Sequence, residues 1–374
     1  MPGRLGIVAL ESARQTGVRV DEILSGWRGG EHFLIGCECP RFASGEAKGI
    51  LKESVRERDL YILVDVCNSS LGYQMNGQPN RMSPDDHYQD LKRVIAAAGG
   101  RAGRITVVMP FLYEGRQHRK TGRESLDCAV MLRELESMGV HGVVTFDAHD
   151  PRMQNVVPLS GIENISPALQ FTQALLTEYE DIKIDGENLM FVAPDEGATE
   201  RVVFLATLFG VNIGMFYKRR DYTRIVDGTN PIISHDFCGG DVAGKDVIVI
   251  DDMIASGGSI LDVSKQLKDR GAARVFLFAT FGLFSSGFKK IDRAYEAGEF
   301  DRIFTTNLVY QSPELLQRPY YFSVSMNRYI AAIIDTMNRG GSLQELTKPA
   351  ARIREMISLY QKNPTAAETA ASKE

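Results

Sequence analysis

Six short apolar runs punctuate the chain, at residues 60–67, 105–109, 143–146, 189–193, 247–250 and 275–281. They are rich in Val, Ile, Leu and Phe and lack the alternation of a strand with one wet face. Each therefore reads as a strand buried on both sides. Helical patterns separate them. Residues 125–138 carry apolar Leu126, Val130, Leu132 and Leu135, preceded by Thr121 and Glu124 as a capping pair. Ser166 and Pro167 open another helix, with a good N-cap and a proline at the first helical position. Residues 200–209 and 260–270 form two more, the latter stopped by Gly271. Strand–helix alternation of this kind specifies α/β architecture: mainly parallel sheets flanked by helices.

At 374 residues the chain is long enough for two such domains. The pattern breaks at residues 155–166, rich in Pro, Gly, Asn and Ser, and the two sides are similar in length and element order. The expected division is an N-terminal domain at 1–160, a related C-terminal domain at 161–346 and an extension at 347–374. A late amphipathic helix at 326–338 is expected to pack back on the first domain. Residues 72–86 read as an exposed polar loop, and the Ala/Thr/Ser-rich stretch 362–374 as disordered.

Charge excludes some functions. With 43 Lys and Arg against 48 Asp and Glu, the formal charge is −5, the wrong sign for a general nucleic-acid binder. No apolar run is long enough for a membrane span, and the first residues do not form a secretory signal. Five scattered cysteines, at 37, 39, 67, 128 and 238, read as buried thiols of a cytoplasmic protein.

Five segments hold the chemistry. The strongest runs from Val247 to Ile260: an apolar strand, the acids Asp251 and Asp252, then Ala255, Ser256, Gly257, Gly258 and Ser259 leading into a helix. Small residues let backbone N–H groups converge on an anion, and the helix N-terminus adds its dipole. Two acids at the strand end suit ribose hydroxyls or a metal. Both glycines are expected to be needed for the turn and for close approach. The glycines at 239–244, followed by Lys245, resemble the start of a nucleotide P-loop, but they precede the strand and read as a turn.

The second segment places Asp147 and His149 two residues apart just past a strand, so that both are expected to point the same way, which suits a divalent metal or a phosphate-bound cation. The third groups Arg116, Gln117, His118, Arg119 and Lys120, matching the needs of polyphosphate. The fourth is Pro194, Asp195 and Gly197 with Arg201 beyond. The fifth, Lys218, Arg219 and Arg220, leads into a long polar run that reads as a positively charged lid.

The first segment resembles the PRPP-binding loop of type I phosphoribosyltransferases, with Ala255 where a third Asp is usual. All five, together with Arg41 to Glu46, resemble the ribose-phosphate diphosphokinase (PRPP synthetase) family in order and spacing from about residue 42 to 346. Departures include Ser44 for Asp or Asn, His118 for Asp, Asn155-Val156 for Gly-Phe, and the extra sequence at 72–86. The resemblance implies two phosphoribosyltransferase-like domains and transfer of the diphosphoryl group of ATP to ribose 5-phosphate. It implies that Phe42, Ser44 and Glu46 meet adenine, while Arg116, Gln117, Arg119 and His149 meet the ATP phosphates. It implies Mg²⁺ at His149 and Asp195, with Asp147 near a second ion, and Lys218 and Arg220 as the catalytic cations. Asp251 and Asp252 would meet the ribose, and residues 255–259 its phosphate. A cytoplasmic homo-oligomer is implied as well. Two readings remain beside it: a phosphoribosyltransferase, against which the paired domains and Ala255 count, and a catalytically inactive regulatory homologue, against which the retained cations and acids count.

Overall fold

The computed structural model describes residues 3–220 and 232–364, with backbone alone at 218–220 and 232–235. The chain divides into two compact units. The first comprises residues 3–167, 307–312 and 325–348; the second, 168–306, 313–324 and the chain from 349. The expected continuous second domain at 161–346 is thus interrupted twice. The stretch expected as a featureless divide contains the strand Gly161–Ile165, which pairs in parallel with Gly142–Phe146 at the edge of the first sheet. An edge strand needs only one buried face, so its pattern is weaker than that of its neighbours.

The first sheet runs, edge to edge, Gly161–Ile165, Gly142–Phe146, Arg104–Val108, Asp59–Leu63, Leu5–Ala9, Leu34–Ile35, all pairs parallel. The second runs Ile232–Gly239, Asn212–Arg220, Leu189–Ala193, Asp246–Ile254, Arg274–Gly282, Arg302–Thr306, Tyr321–Val324, parallel except for the Ile232–Gly239 pairing. The unbroken apolar runs are explained here. Ile248 and Ile250 pack with Phe191, Phe276 and Phe278 on one face, while Val247 and Val249 pack with Ile260 and Val263 on the other. Each such side chain, fully withdrawn from water, contributes roughly 1.5–3 kcal/mol.

The helix expected at 125–138 is Asp127–Ser137, capped by Leu126 without a side-chain bond. Thr121 and Glu124 bond one another within the preceding loop, so they do not cap it. The late helix Asn327–Asn338 groups with the first unit. There Asn338 donates to the buried Asp59 at 2.9 Å, Arg104 grips the same carboxylate through two 2.6 Å bonds, and Arg28 pairs with Asp335 at 2.7 Å. The C-terminal stretch is helical at Ala350–Lys362 and packs on Ala168–Glu178 and Thr199–Phe209. Of the stretch expected to be disordered, residues 365–374 lie outside the described residues. The expected polar loop at 72–86 is instead a β-hairpin, Gly72–Met75 with Gln78–Arg81, followed by a helix with a Ser83–Asp86 capping box. No helix among the described residues is long and apolar enough to cross a membrane. The five cysteines are free, but only Cys128 is buried as expected: Cys37, Cys39 and Cys67 are half-buried, and Cys238 is exposed, because it lies on the edge strand while its neighbour Phe237 packs against Phe216.

One buried acid makes stability depend on pH. Asp65 is 5% exposed and accepts N–H bonds from Cys67 at 2.8 Å and Tyr310 at 2.7 Å. Burial pushes its pKa up to about 7. The fold therefore keeps a proton that the unfolded chain releases near pH 4, so stability falls as pH rises from there through about 7. Denaturant unfolding is expected to show lower stability at pH 8 than at pH 5. Asp65→Asn should flatten that slope by up to a few kcal/mol, whatever it does to absolute stability. Identical slopes in both proteins would show that Asp65 does not carry the dependence.

Candidate active site

The second unit assembles its site at the C-terminal end of Asp246–Ile254. The strand is longer than the apolar run, so Asp251 and Asp252 lie within it rather than past its end. Asp252 is 5% exposed. Burial, with the Asp252 and Asp195 charges nearby, pushes Asp251 well above the usual carboxylate range. Asp195, just past Leu189–Ala193, accepts the Gly197 N–H at 3.0 Å and so caps the short helix Glu196–Ala198. Arg201, 19% exposed, donates to the Gly197 carbonyl at 3.2 Å and approaches Asp252 within 4.0 Å. Asp251 thus lies within the charge of Asp252 and Asp195, and Arg201 approaches Asp252, a grouping that suits hydroxyl donors. Arg201 was legible only as a helical cation; its place beside Asp252 comes from the parallel pairing of the two strands.

Beyond the acids, Ala255 and Ser256 lead to Gly257, whose φ of 81° is the left-handed conformation that favours glycine. Gly257 caps the helix Gly258–Asp269 with no side-chain bond, and the helix has no acid in its first turn. Its first N–H groups lack intrahelical partners, as at every helix start, and suit an anion. Ser259 is exposed in that first turn. The turn is anchored from below: Leu283 and Phe284 donate to the Ile254 carbonyl, and Ser285 to that of Ala255 at 2.9 Å. The expectation for the two glycines is corrected. Gly258 has no positive φ, and a Cβ there would meet only Ser256 Oγ at 3.8 Å, so the conformational requirement falls on Gly257 alone. Upstream, residues 240–245 form a turn before the strand, and Lys245 Nζ is spent on the Gly186 carbonyl at 2.7 Å.

In the first unit, the loop after Arg104–Val108 meets the loop after Gly142–Phe146. The His118 and His149 rings lie 5.2 Å apart, and His118 Nε2 is 3.6 Å from the buried Asp150. Bonds from Arg152 hold the Asp150 carboxyl down at about 2. Arg116, Gln117 and Arg119 are exposed. Asp147 and His149 do not follow the simple i, i+2 expectation. Asp147 has φ 41°, which turns the backbone out of the extended conformation, and it is half-buried while His149 is exposed. Such a left-handed non-glycine residue costs on the order of 1–3 kcal/mol and is typical of functional loops. Asp150 caps the short helix Pro151–Val156, a place signalled in the sequence by its Asp-Pro pair.

Residues 41–47 form a tight turn, with Phe42 donating its N–H to Glu46 at 2.7 Å and Gly45 to Phe42 at 2.9 Å. Phe42 is 54% exposed, and Ser44 Oγ donates to Glu46 at 3.0 Å. Lys218 and Arg220 end the strand Asn212–Arg220; their side chains lie outside the described residues, as does the run 221–231 that was expected to be a lid. Among the described residues no group of three or more His, Cys, Asp or Glu forms a ready-made metal site. Asp147 and His149 belong to the first unit and Asp195 to the second.

Comparison with known proteins agrees with this layout. Residues 5–139 match the N-terminal domain of ribose phosphate pyrophosphokinase, and residues 162–304 the phosphoribosyl transferase domain. A ribose-phosphate pyrophosphokinase of Pasteurella multocida is 31% identical over 278 residues, spanning 74% of this chain and 79% of the relative. One from Burkholderia pseudomallei is 27% identical over 309 residues, 82% of this chain and 87% of the relative. The crystal structure of phosphoribosylpyrophosphate synthetase from Mycobacterium smegmatis has the same fold, with a TM-score of 0.75 and 22% identity over 90% of this chain and all of that one. Two phosphoribosyltransferase-like units, an acid pair beside a glycine-capped helix and an identity of 31% over most of a relative lead to one assignment: the chain belongs to the ribose-phosphate pyrophosphokinase family.

Proposed function

We propose that the protein transfers the diphosphoryl group of ATP to the anomeric hydroxyl of ribose 5-phosphate, giving PRPP and AMP. The observation that carries this reading is the convergence of Asp195, Arg201, Asp251 and Asp252 beside the Gly257-capped helix. A sugar phosphate needs both halves: carboxylates for its hydroxyls and N–H groups for its phosphate. In the reaction the anomeric oxygen attacks the β-phosphorus. The bond from that phosphorus to the α–β bridging oxygen breaks, AMP leaves, and the hydroxyl proton passes to solvent. Phe42, Ser44 and Glu46 hold the base, and Arg116, Gln117 and Arg119 the polyphosphate. Lys218 and Arg220 steady the transferring group, whose charge spreads over phosphoryl oxygens.

The acid-rich surroundings of Asp195, with the Asp251 and Asp252 charges nearby, suit a divalent cation. By the family resemblance His149 and Asp195 would bind the Mg²⁺ that accompanies ATP, with Asp147 near a second ion, and phosphate oxygens and water would complete the coordination. When bound, it would neutralise developing charge on those oxygens. The purified full chain with ATP, Mg²⁺ and ribose 5-phosphate is expected to form AMP and PRPP in equal amounts, and excess chelator should abolish both. Undiminished AMP formation in chelator would overturn the metal assignment. No AMP under any divalent cation would favour an inactive homologue. The proposal includes a cytoplasmic homo-oligomer, for which light scattering should give a multiple of the chain mass.

A further inference from the structure

We infer that the hairpin Gly72–Met75 with Gln78–Arg81 is a positioning element for the nucleotide base, acting through the turn at 41–47. This rests on the proposed assignment of Phe42, Ser44 and Glu46 to ATP. The hairpin is paired to neither main sheet. It turns at Asn76 and Gly77, both with positive φ, the backbone that Asn-Gly hairpins favour. A lone two-stranded hairpin is marginal in water, so its order depends on what it packs against.

What it packs against is one edge of the 41–47 turn. The Arg41 guanidinium stacks on Tyr73, 4.6 Å from the ring centre, and donates to Asp90 at 2.8 Å. Asn76 donates its N–H to the Ala43 carbonyl at 2.9 Å. At Gly45, φ is 92°, and a Cβ would sit 2.8 Å from Met75 Sδ and 3.6 Å from the Tyr73 ring. The hairpin therefore touches residues 41, 43 and 45, while Phe42, Ser44 and Glu46 remain exposed. Tyr73 is itself tied to Asp86 at 3.2 Å, at the start of the helix Pro84–Ala98. Behind the brace is a cleft of about 320 Å³ bordered by Cys39, Arg41, Leu71, Tyr73, Met82 and Asp90. Arg41 is thus held at a few points, and losing one of them matters.

A brace of this kind raises the fraction of molecules whose turn is ready for ATP, and apparent affinity scales with that fraction. It should act on ATP binding and leave ribose 5-phosphate binding alone. In the full chain, Tyr73→Ala is expected to raise the ATP Kd and KM roughly ten-fold, with kcat and the ribose 5-phosphate KM within two-fold. Tyr73→Phe keeps the stacking ring and should restore wild-type affinity. Hydrogen exchange at the Phe42 and Gly45 amides should speed up in Tyr73→Ala and not in Tyr73→Phe. Replacing residues 72–81 by a short Gly/Ser linker gives a second route to the same result if Tyr73→Ala folds poorly. Unchanged ATP affinity in these variants, while Phe42→Ala weakens it, would overturn the hairpin's role and leave the ATP site standing. If Phe42→Ala also left ATP binding unchanged, the assignment of the 41–47 turn would fall, and the hairpin's role with it. Parallel losses in kcat and in both KM values would mark a purely structural element and overturn the inference.

Discussion

Lys218→Ala or Arg220→Ala is expected to lower kcat by on the order of 10²-fold or more, with little change in the KM for ribose 5-phosphate. Diphosphoryl transfer spreads negative charge over oxygens that are less exposed to a cation in the ground state. A lost cation is therefore felt mainly in the transition state. Arg219→Ala should cost less, since neighbours on an extended segment alternate sides; the register shift beside Arg219 and Arg220 places its extra residue on the partner strand. The three single variants, compared by steady-state kinetics, separate the cases. Equal losses at all three expressed in KM would mean a diffuse binding patch rather than two catalytic cations.

Gly257→Val should abolish ribose 5-phosphate binding while leaving ATP binding intact. The left-handed φ of 81° is strained for any side chain, and a β-branched one is the worst tolerated. An added Cβ would touch Ile291 and Leu261 at 3.6 and 3.8 Å, ordinary contact distances, so the cost is conformational rather than a clash. Relief of that strain would rotate the first N–H groups of the helix Gly258–Asp269 away from the phosphate. Gly258→Ala is the control: its Cβ has room, and binding should survive. Calorimetry with each ligand separately checks this. Loss of ATP binding with ribose 5-phosphate retained would mean that the two pockets have been assigned the wrong way round.

The two sheets were legible because their strands are buried on both faces. Residues 189–193 and 247–250 have no polar residue to blur the run, and each lies within a parallel strand of the second sheet. The edge strand Gly161–Ile165 was illegible because Glu163 and Asn164 sit where a central strand would have apolar residues. The hairpin was missed although Asn76-Gly77 is a strong turn signal, because Gln, Asn and Arg mask the alternation around it. The cap assigned to Thr121 and Glu124 failed for a related reason: the same residue spacing satisfies itself inside a loop.

Sequence alone therefore determined the α/β class, the acid pair before a small-residue turn, and the order of the charged segments, all carried by neighbours along the chain. Tertiary structure alone decided what those segments meet. Arg201 reaches Asp252 because two distant strands pair in register; His118 meets His149 because two loops leave the C-terminal ends of adjacent parallel strands; and Tyr73 finds Arg41 because an inserted hairpin folds back on its own unit. The physical reason is that backbone conformation is chosen locally, by sterics and periodicity. The partners of a charged side chain depend on sheet order, which no local pattern encodes.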